Sequence, residues 1–294
     1  MRYLLAEGFE ESPEALAERS RAFGQFYVSV IRKVTGLSEE EPSVPSQVAD
    51  AAQHVLSSVK NHLSDQQEQL EGMSAKSLCE QISDPEKKQQ LLEGNPDYIL
   101  EEASTGMPVI YLPNSSFRKV YPTAQAVAAW IPQGVSFVLV PQMDDPAYME
   151  RQVEENLPHE IHHILWKFLQ VDKIIEINEK NDNWAYAYAM FQDELIARLC
   201  SNGPLGGYSH VGPNEERVGE VADILDMVQE CNELLERLEQ FRNKTNVAKE
   251  DLIGSVAEAR NFDELKRNLL KMEEFISQQS TIEQKEHPSS WEQV

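Results

Sequence analysis

The sequence predicts an α+β fold that is predominantly helical, with one small sheet placed just before its most distinctive helix. Three observations carry this. Apolar residues recur at helical spacing through most of the 294 residues. The stretch after Gly106 instead holds short β-branched and aromatic runs. Directly after those runs stands His159-Glu160-Ile161-His162-His163, on an apolar stripe at helical spacing.

Residues 1–102 read as a mostly helical N-terminal region. Ser12-Pro13-Glu14 has the cap chemistry of a helix start, and Ala15, Leu16, Phe23, Phe26, Val30 and Ile31 keep that helix amphipathic up to Gly36. Ser38 to Ser46, with its acids and two prolines, reads as a loop. A second helix is expected from about Ser46 to Leu70, with Val48, Ala52, Val55, Leu56, Val59 and Leu63 on one face. His54 and His62 have no ligand spacing and are expected to be solvated. Shorter helices are expected near Lys76–Ile82 and Asp84–Glu93.

Residues 103–213 read as a mixed α/β core that holds the histidine cluster. Strands are expected at Met107–Leu112, Arg118–Tyr121 and Val135–Val140, the last stopped by Pro141. Residues 214–278 read as a helical hairpin or three-helix unit, with helices over Glu215–Lys244, Val247–Ala259 and Asn261–Gln278. Residues 279–294 are polar, lack periodicity and read as a disordered tail.

The chemistry lies in the histidine cluster. On a helix, His159 and His163 are four positions apart and lie one above the other on one face. Two imidazoles so placed can share a tetrahedral Zn²⁺. Glu160 flanks the metal without binding it, and can take a proton from the water that the metal activates. Ile161, Ile164, Leu165 and Phe168 form the stripe that makes this a buried helix presenting histidines. Pro158 requires either a new helix starting near Leu157, with Asn156 as cap, or an earlier helix from Pro146 that bends. The His159/His162 pair also shares a face, but only the His159/His163 choice gives Glu160 its usual relation to both ligands. His162 is then expected behind the ligands or facing solvent.

A catalytic zinc needs a third protein ligand and an open position. Leu169 rules out the continuation in which a third histidine follows on the same helix. Trp184–Leu199 reads as a packed helix, and a polar turn at Asn178–Asn183 lets it fold back beside the motif. Glu194, mid-helix among apolar residues, is the preferred third ligand, and Asp193 is the alternative.

With these residues in place, Val135 to Leu199 resembles the gluzincin-type zinc metallopeptidases, which carry His-Glu-x-x-His on one helix and a Glu ligand on the next. The resemblance implies a zincin-like core, with His159, His163 and Glu194 binding Zn²⁺ and Glu160 as general base. It also implies a strand before the motif helix whose edge pairs with a peptide substrate, for which Val135–Pro141 is the candidate. The Gly- and Pro-containing loop Gly203–Pro213 holds Tyr208 and His210, candidates for stabilising the oxyanion.

Composition narrows the setting. A net charge of -24 makes nucleic acid and anionic membranes poor partners. The three cysteines, Cys79, Cys200 and Cys231, form neither a disulfide framework nor a thiolate metal site. The start does not read as a signal peptide, since acids follow a five-residue apolar run. A cytoplasmic zinc metallopeptidase acting on a peptide or protein is therefore the expectation, with homo-oligomerisation through the C-terminal helices as an option. The competing expectation is a helical interaction module whose metal motif is incidental or degenerate. A zinc hydrolase of non-peptide amides or esters is a third, narrower reading.

Overall fold

The computed structural model describes residues 12–93, 99–103, 106–201, 205, 222–242 and 249–286. Among these the chain is α+β and predominantly helical, around one mixed four-stranded sheet. The elements are α1 (Pro13–Val34), α2 (Ala49–Leu70), α3 (Ala75–Cys79), α4 (Pro85–Leu92), β1 (Ile99–Ala103), β2 (Met107–Pro113), α5 (Asn114–Val120), β3 (Val127–Ala129), β4 (Phe137–Gln142), α6 (Pro146–Arg151), α7 (Leu157–Leu169), α8 (Val171–Lys180), α9 (Asn183–Cys200), α10 (Ala222–Arg242), α11 (Glu250–Glu258) and α12 (Phe262–Glu286).

Helix starts follow local chemistry. Ser12 accepts a hydrogen bond from the Ala15 N–H at the start of α1, and Asp182 caps α9 by accepting from Ala185 N–H. Asn181, at φ 50°, ends α8 in the left-handed region, which Asn tolerates better than most residues.

The sheet runs β1-β2-β4-β3. β1 is antiparallel to β2, β2 parallel to β4, and β3 antiparallel to β4. β4 is therefore an inner strand, which corrects the expectation that Val135–Pro141 supplies the open edge. The reason lies in its sequence. Phe137 and Leu139 enter one hydrophobic cluster, with Leu78, Leu91 and Phe117, while Val138 and Val140 enter another, with α1, α2 and α7. A strand apolar at every position needs cover on both faces and suits the middle of a sheet. The two edges of the sheet are β1 and the three-residue β3, and β3 is the one beside α7.

Three further expectations are corrected. Arg118–Tyr121 is not a strand: residues 114–120 form α5, which provides the crossover that parallel strands β2 and β4 need. Ile99–Ala103, at the end of the region expected to be helical, is strand β1. α12 continues to Glu286, eight residues into the expected tail, and residues 287–294 lie outside the described residues.

The terminal helices complete one core with the motif helix. A single buried cluster joins α1, α7, α9, α11 and α12 through residues such as Phe26, Ile161, Phe191, Ile253 and Leu265. α1 and α11 meet backbone to backbone: a Cβ at Gly24 would lie 1.9 Å from the Glu250 carbonyl oxygen, and one at Gly254 would lie 2.4 Å from Ser20 Cα. Beside this crossing, Ser20 and Ser255 share a hydrogen bond of 3.0 Å, and Arg19 pairs with the buried Glu258.

Gly24→Ala is expected to force these helices apart and cost roughly 1–3 kcal/mol, the usual penalty of overpacking. Urea unfolding measures it. Unchanged stability would mean that the helices do not cross at Gly24.

Candidate functional site

The site is built where α7 packs against α9. The chain enters α7 without a break: α6 runs into a single π turn, Gln152–Asn156, and then into α7. The bent helix from Pro146 is thus the alternative realised. Asn156 has helical dihedrals and makes no side-chain cap; its amide donates to Gln152 Oε1. The wider π turn stands where Pro158, lacking an N–H, would clash with a regular preceding turn. Inserted turns of this kind are frequent at functional sites.

α7 then places His159 and His163 one turn apart, with Nε2 atoms separated by 3.1 Å. Glu194 reaches in from α9, its Oε2 lying 3.5 Å from His163 Nε2 and 3.8 Å from His159 Nε2. A tetrahedral zinc with bonds of ~2.0–2.2 Å needs donors separated by ~3.3–3.5 Å. The observed triangle is close to that face, and two imidazole nitrogens with one carboxylate oxygen are a donor set that suits zinc. Among the described residues this is the one cluster of three such donors.

Neighbours aim two of the three. Asp193 Oδ1 lies 2.8 Å from His163 Nδ1, turning Nε2 towards His159 and Glu194. Asp193 stands on the far side of the imidazole from the donor triangle, so its geometry is that of an orienting group rather than the alternative ligand. The Arg198 guanidinium donates through Nε to Glu194 Oε1 at 3.0 Å and leaves Oε2 facing the histidines.

Glu160 points to the sheet. Its Oε2 accepts a 2.6 Å hydrogen bond from the Ala128 N–H, on edge strand β3. His162 is wholly buried, not solvent-facing, and its Nδ1 lies 2.7 Å from the Tyr27 hydroxyl of α1. His62, expected to be solvated, stacks on Phe168 with ring centroids 4.0 Å apart, and burial lowers its pKa. His54 is exposed. Tyr208 and His210 lie outside the described residues.

The electrostatics of the cluster are uneven. Burial works against a charge on His163, but the Asp193 carboxylate, its hydrogen bond, and then Glu160 and Glu194 outweigh it and raise the pKa to about 9. Burial and the adjacent His163 lower His159 to about 4. Burial raises Glu160, opposed by His163 and the Ala128 hydrogen bond. Burial also opposes the charge on Asp193, yet His163 and the imidazole contacts hold its carboxyl well below the usual range. Glu194 is lowered too: burial is outweighed by His163, His159 and Arg198.

Two residues of the site were absent from the sequence reading. Arg198 had a signal in its four-residue spacing from Glu194. Tyr27 had none, because it lies 135 residues from His162 and is brought there by packing alone. Comparison with protein-family models, curated proteins and solved structures finds no match for this chain. The reading of the site therefore rests on its own geometry.

The high pKa of His163 has a measurable consequence. With its pKa raised to about 9, His163 is expected to be protonated at neutral pH, and a zinc ion bound through Nε2 would have to displace that proton. Zinc binding at neutral pH is expected to release about one proton per chain, and apparent affinity to rise roughly tenfold per pH unit until it levels near that pKa. Titration calorimetry in buffers of different ionisation enthalpy counts the protons. Binding without proton release would show that His163 is neutral before the metal arrives; loss of zinc binding in His163→Ala is the separate test of its role as ligand.

Proposed function

We propose that this chain is a zinc-dependent hydrolase, most specifically a metallopeptidase with a gluzincin-type, zincin-like centre. The carrying observation is the triangle of His159 Nε2, His163 Nε2 and Glu194 Oε2, with edges of 3.1, 3.5 and 3.8 Å. Zn²⁺ held there supplies Lewis acidity, lowering the pKa of water and polarising the scissile carbonyl.

The protein's own groups supply the rest. Glu160, on the same helix as the two histidines and within electrostatic influence of His163 and Glu194, would accept the proton of the attacking water. Its raised pKa then lets it pass that proton to the leaving amine nitrogen, as a general base that becomes a general acid must. Asp193 and Arg198 restrain His163 and Glu194 before substrate arrives, so the donors need not reorganise during the reaction.

A peptide is favoured over other amides by the edge strand. β3 pairs with β4 on one side only, and its Ala128 N–H, pointing away from β4, is in contact with Glu160. An extended peptide added along that edge lies within reach of the general base, and strand addition is a general mode of holding peptides. A cytoplasmic setting is part of the proposal: the three cysteines are all free, as a reducing compartment keeps them. No helix among the described residues is long and apolar enough to cross a membrane.

Glu160→Gln is the decisive variant. It is expected to retain one zinc per chain, since Glu160 is not a ligand, and to lose hydrolysis of a peptide library by at least ~100-fold, the scale of general-base catalysis. Metal analysis and mass-spectrometric cleavage assays read the two effects separately. A variant that keeps most of the wild-type rate removes Glu160 from the mechanism. A wild-type chain that neither binds zinc nor cleaves peptides leaves the helical interaction module as the better reading.

A further inference from the structure

The zinc reading gives no role to two buried polar side chains behind the donor triangle. Tyr27 is 3% exposed and His162 is 0% exposed, in an interface of α1 and α7 otherwise made by residues such as Phe23, Val30 and Ile161. Burying a hydroxyl and an imidazole there costs more than burying two apolar side chains of similar size. Their contacts point one way. Tyr27 Oη lies 2.7 Å from His162 Nδ1. His162 Nε2 has no full hydrogen bond, and faces Asp193 Oδ1 at 3.5 Å. The same Oδ1 lies 2.8 Å from His163 Nδ1.

We propose that Tyr27 and His162 are positioning residues for the metal centre: together they hold the Asp193 carboxylate that aims His163. The inference rests on the zinc reading above. The polarity of the chain supports it. If the tyrosine hydroxyl donates to Nδ1, neutral His162 carries its proton on Nε2, facing the carboxylate. The opposite tautomer would set a bare lone pair against a buried carboxylate oxygen, which is repulsive in a medium of low dielectric. In the favoured arrangement Asp193 Oδ1 lies between two N–H groups, one from each of two consecutive histidines. Its attraction to His162 restrains it from swinging away, and its bond to His163 Nδ1 leaves Nε2 of that ring as the metal-binding nitrogen.

This assigns the two adjacent histidines different tasks. His163 would ligate the metal; His162 would ligate nothing and act through Asp193. It also assigns α1, which ends more than 120 residues before the motif, a direct part in setting the metal geometry.

The test uses the full chain with Tyr27→Phe, His162→Phe and His162→Gln. Zinc dissociation constants come from chelator competition, ligand geometry from the visible absorption of the Co²⁺-substituted protein, and stability from thermal unfolding. His162→Phe is expected to weaken zinc binding by ~10–100-fold, as loss of an outer contact to a ligand does, and to alter the Co²⁺ bands. Tyr27→Phe should shift both in the same direction by less. His162→Gln should recover much of the affinity, because its amide can accept from Tyr27 and donate to Asp193. A purely structural pair gives another pattern: lower thermal stability in both Phe variants with wild-type zinc affinity and Co²⁺ spectrum, which overturns the proposal. If His162→Phe does not fold, Tyr27→Phe, which loses a single oxygen, decides alone. A wild-type chain that binds no zinc overturns the metal reading itself, and is distinguished by the absence of binding before any substitution.

Discussion

The rotation of α9 about its own axis is the constraint on which the candidate site depends. Three consecutive residues of this helix face three different neighbours. Gln192 donates to the backbone carbonyls of Val256 and Ala259, at 2.8 and 3.1 Å. Asp193 faces His162 and His163, and Glu194 supplies the third corner of the donor triangle. Successive helical side chains diverge by ~100°, so any one of these contacts fixes the direction of the other two. Gln192 is the strongest fixture, since it is buried and satisfies carbonyls at the end of α11 that have no partner within their own helix. Tyr188, one turn earlier, adds a 2.8 Å bond to Ala259 O. The C-terminal helices thus set the angle at which an acid enters the site.

α7 is set by different means. It has the buried apolar stripe expected of a core helix, but packing alone leaves some freedom to slide along its axis. The Tyr27–His162 contact on one side and the Glu160–Ala128 contact on another restrict that freedom. Each polar contact joins α7 to a different element, α1 and β3, and each is made by a residue of the five-residue cluster. The histidine motif therefore carries its own attachments to the fold as well as its ligands.

Much of this was legible in the sequence, because its signals are local. Four-residue spacing places His159 and His163 on one face in any α-helix, and the apolar residues around Glu194 put that residue on a packed helix. The long helices also announce themselves by period. What stayed hidden depends on partners far along the chain. A short apolar run such as Phe137–Val140 looks the same at the edge of a sheet as in its middle, and only β2 and β3 on either side decide. Arg118–Tyr121 has strand-like composition but lies in the long connection between parallel β2 and β4, where residues 114–120 are helical. The burial of His162 and His62 follows from α1 packing and from Phe168, neither of which leaves a mark on the neighbouring sequence.

The close crossing of α1 with α11 has a consequence for the order in which the molecule assembles. Gly24 rests against the Glu250 backbone, some 226 residues away in the chain. α1 is synthesised well before its partner α11, with at least ~10 s between them at ~5–20 residues per second. Until then, among the described residues, α2 and α7 are available to cover α1. Closing so long a loop carries an entropic cost that is met only when the contact forms. Final packing of α1 against the core is thereby tied to synthesis of α11.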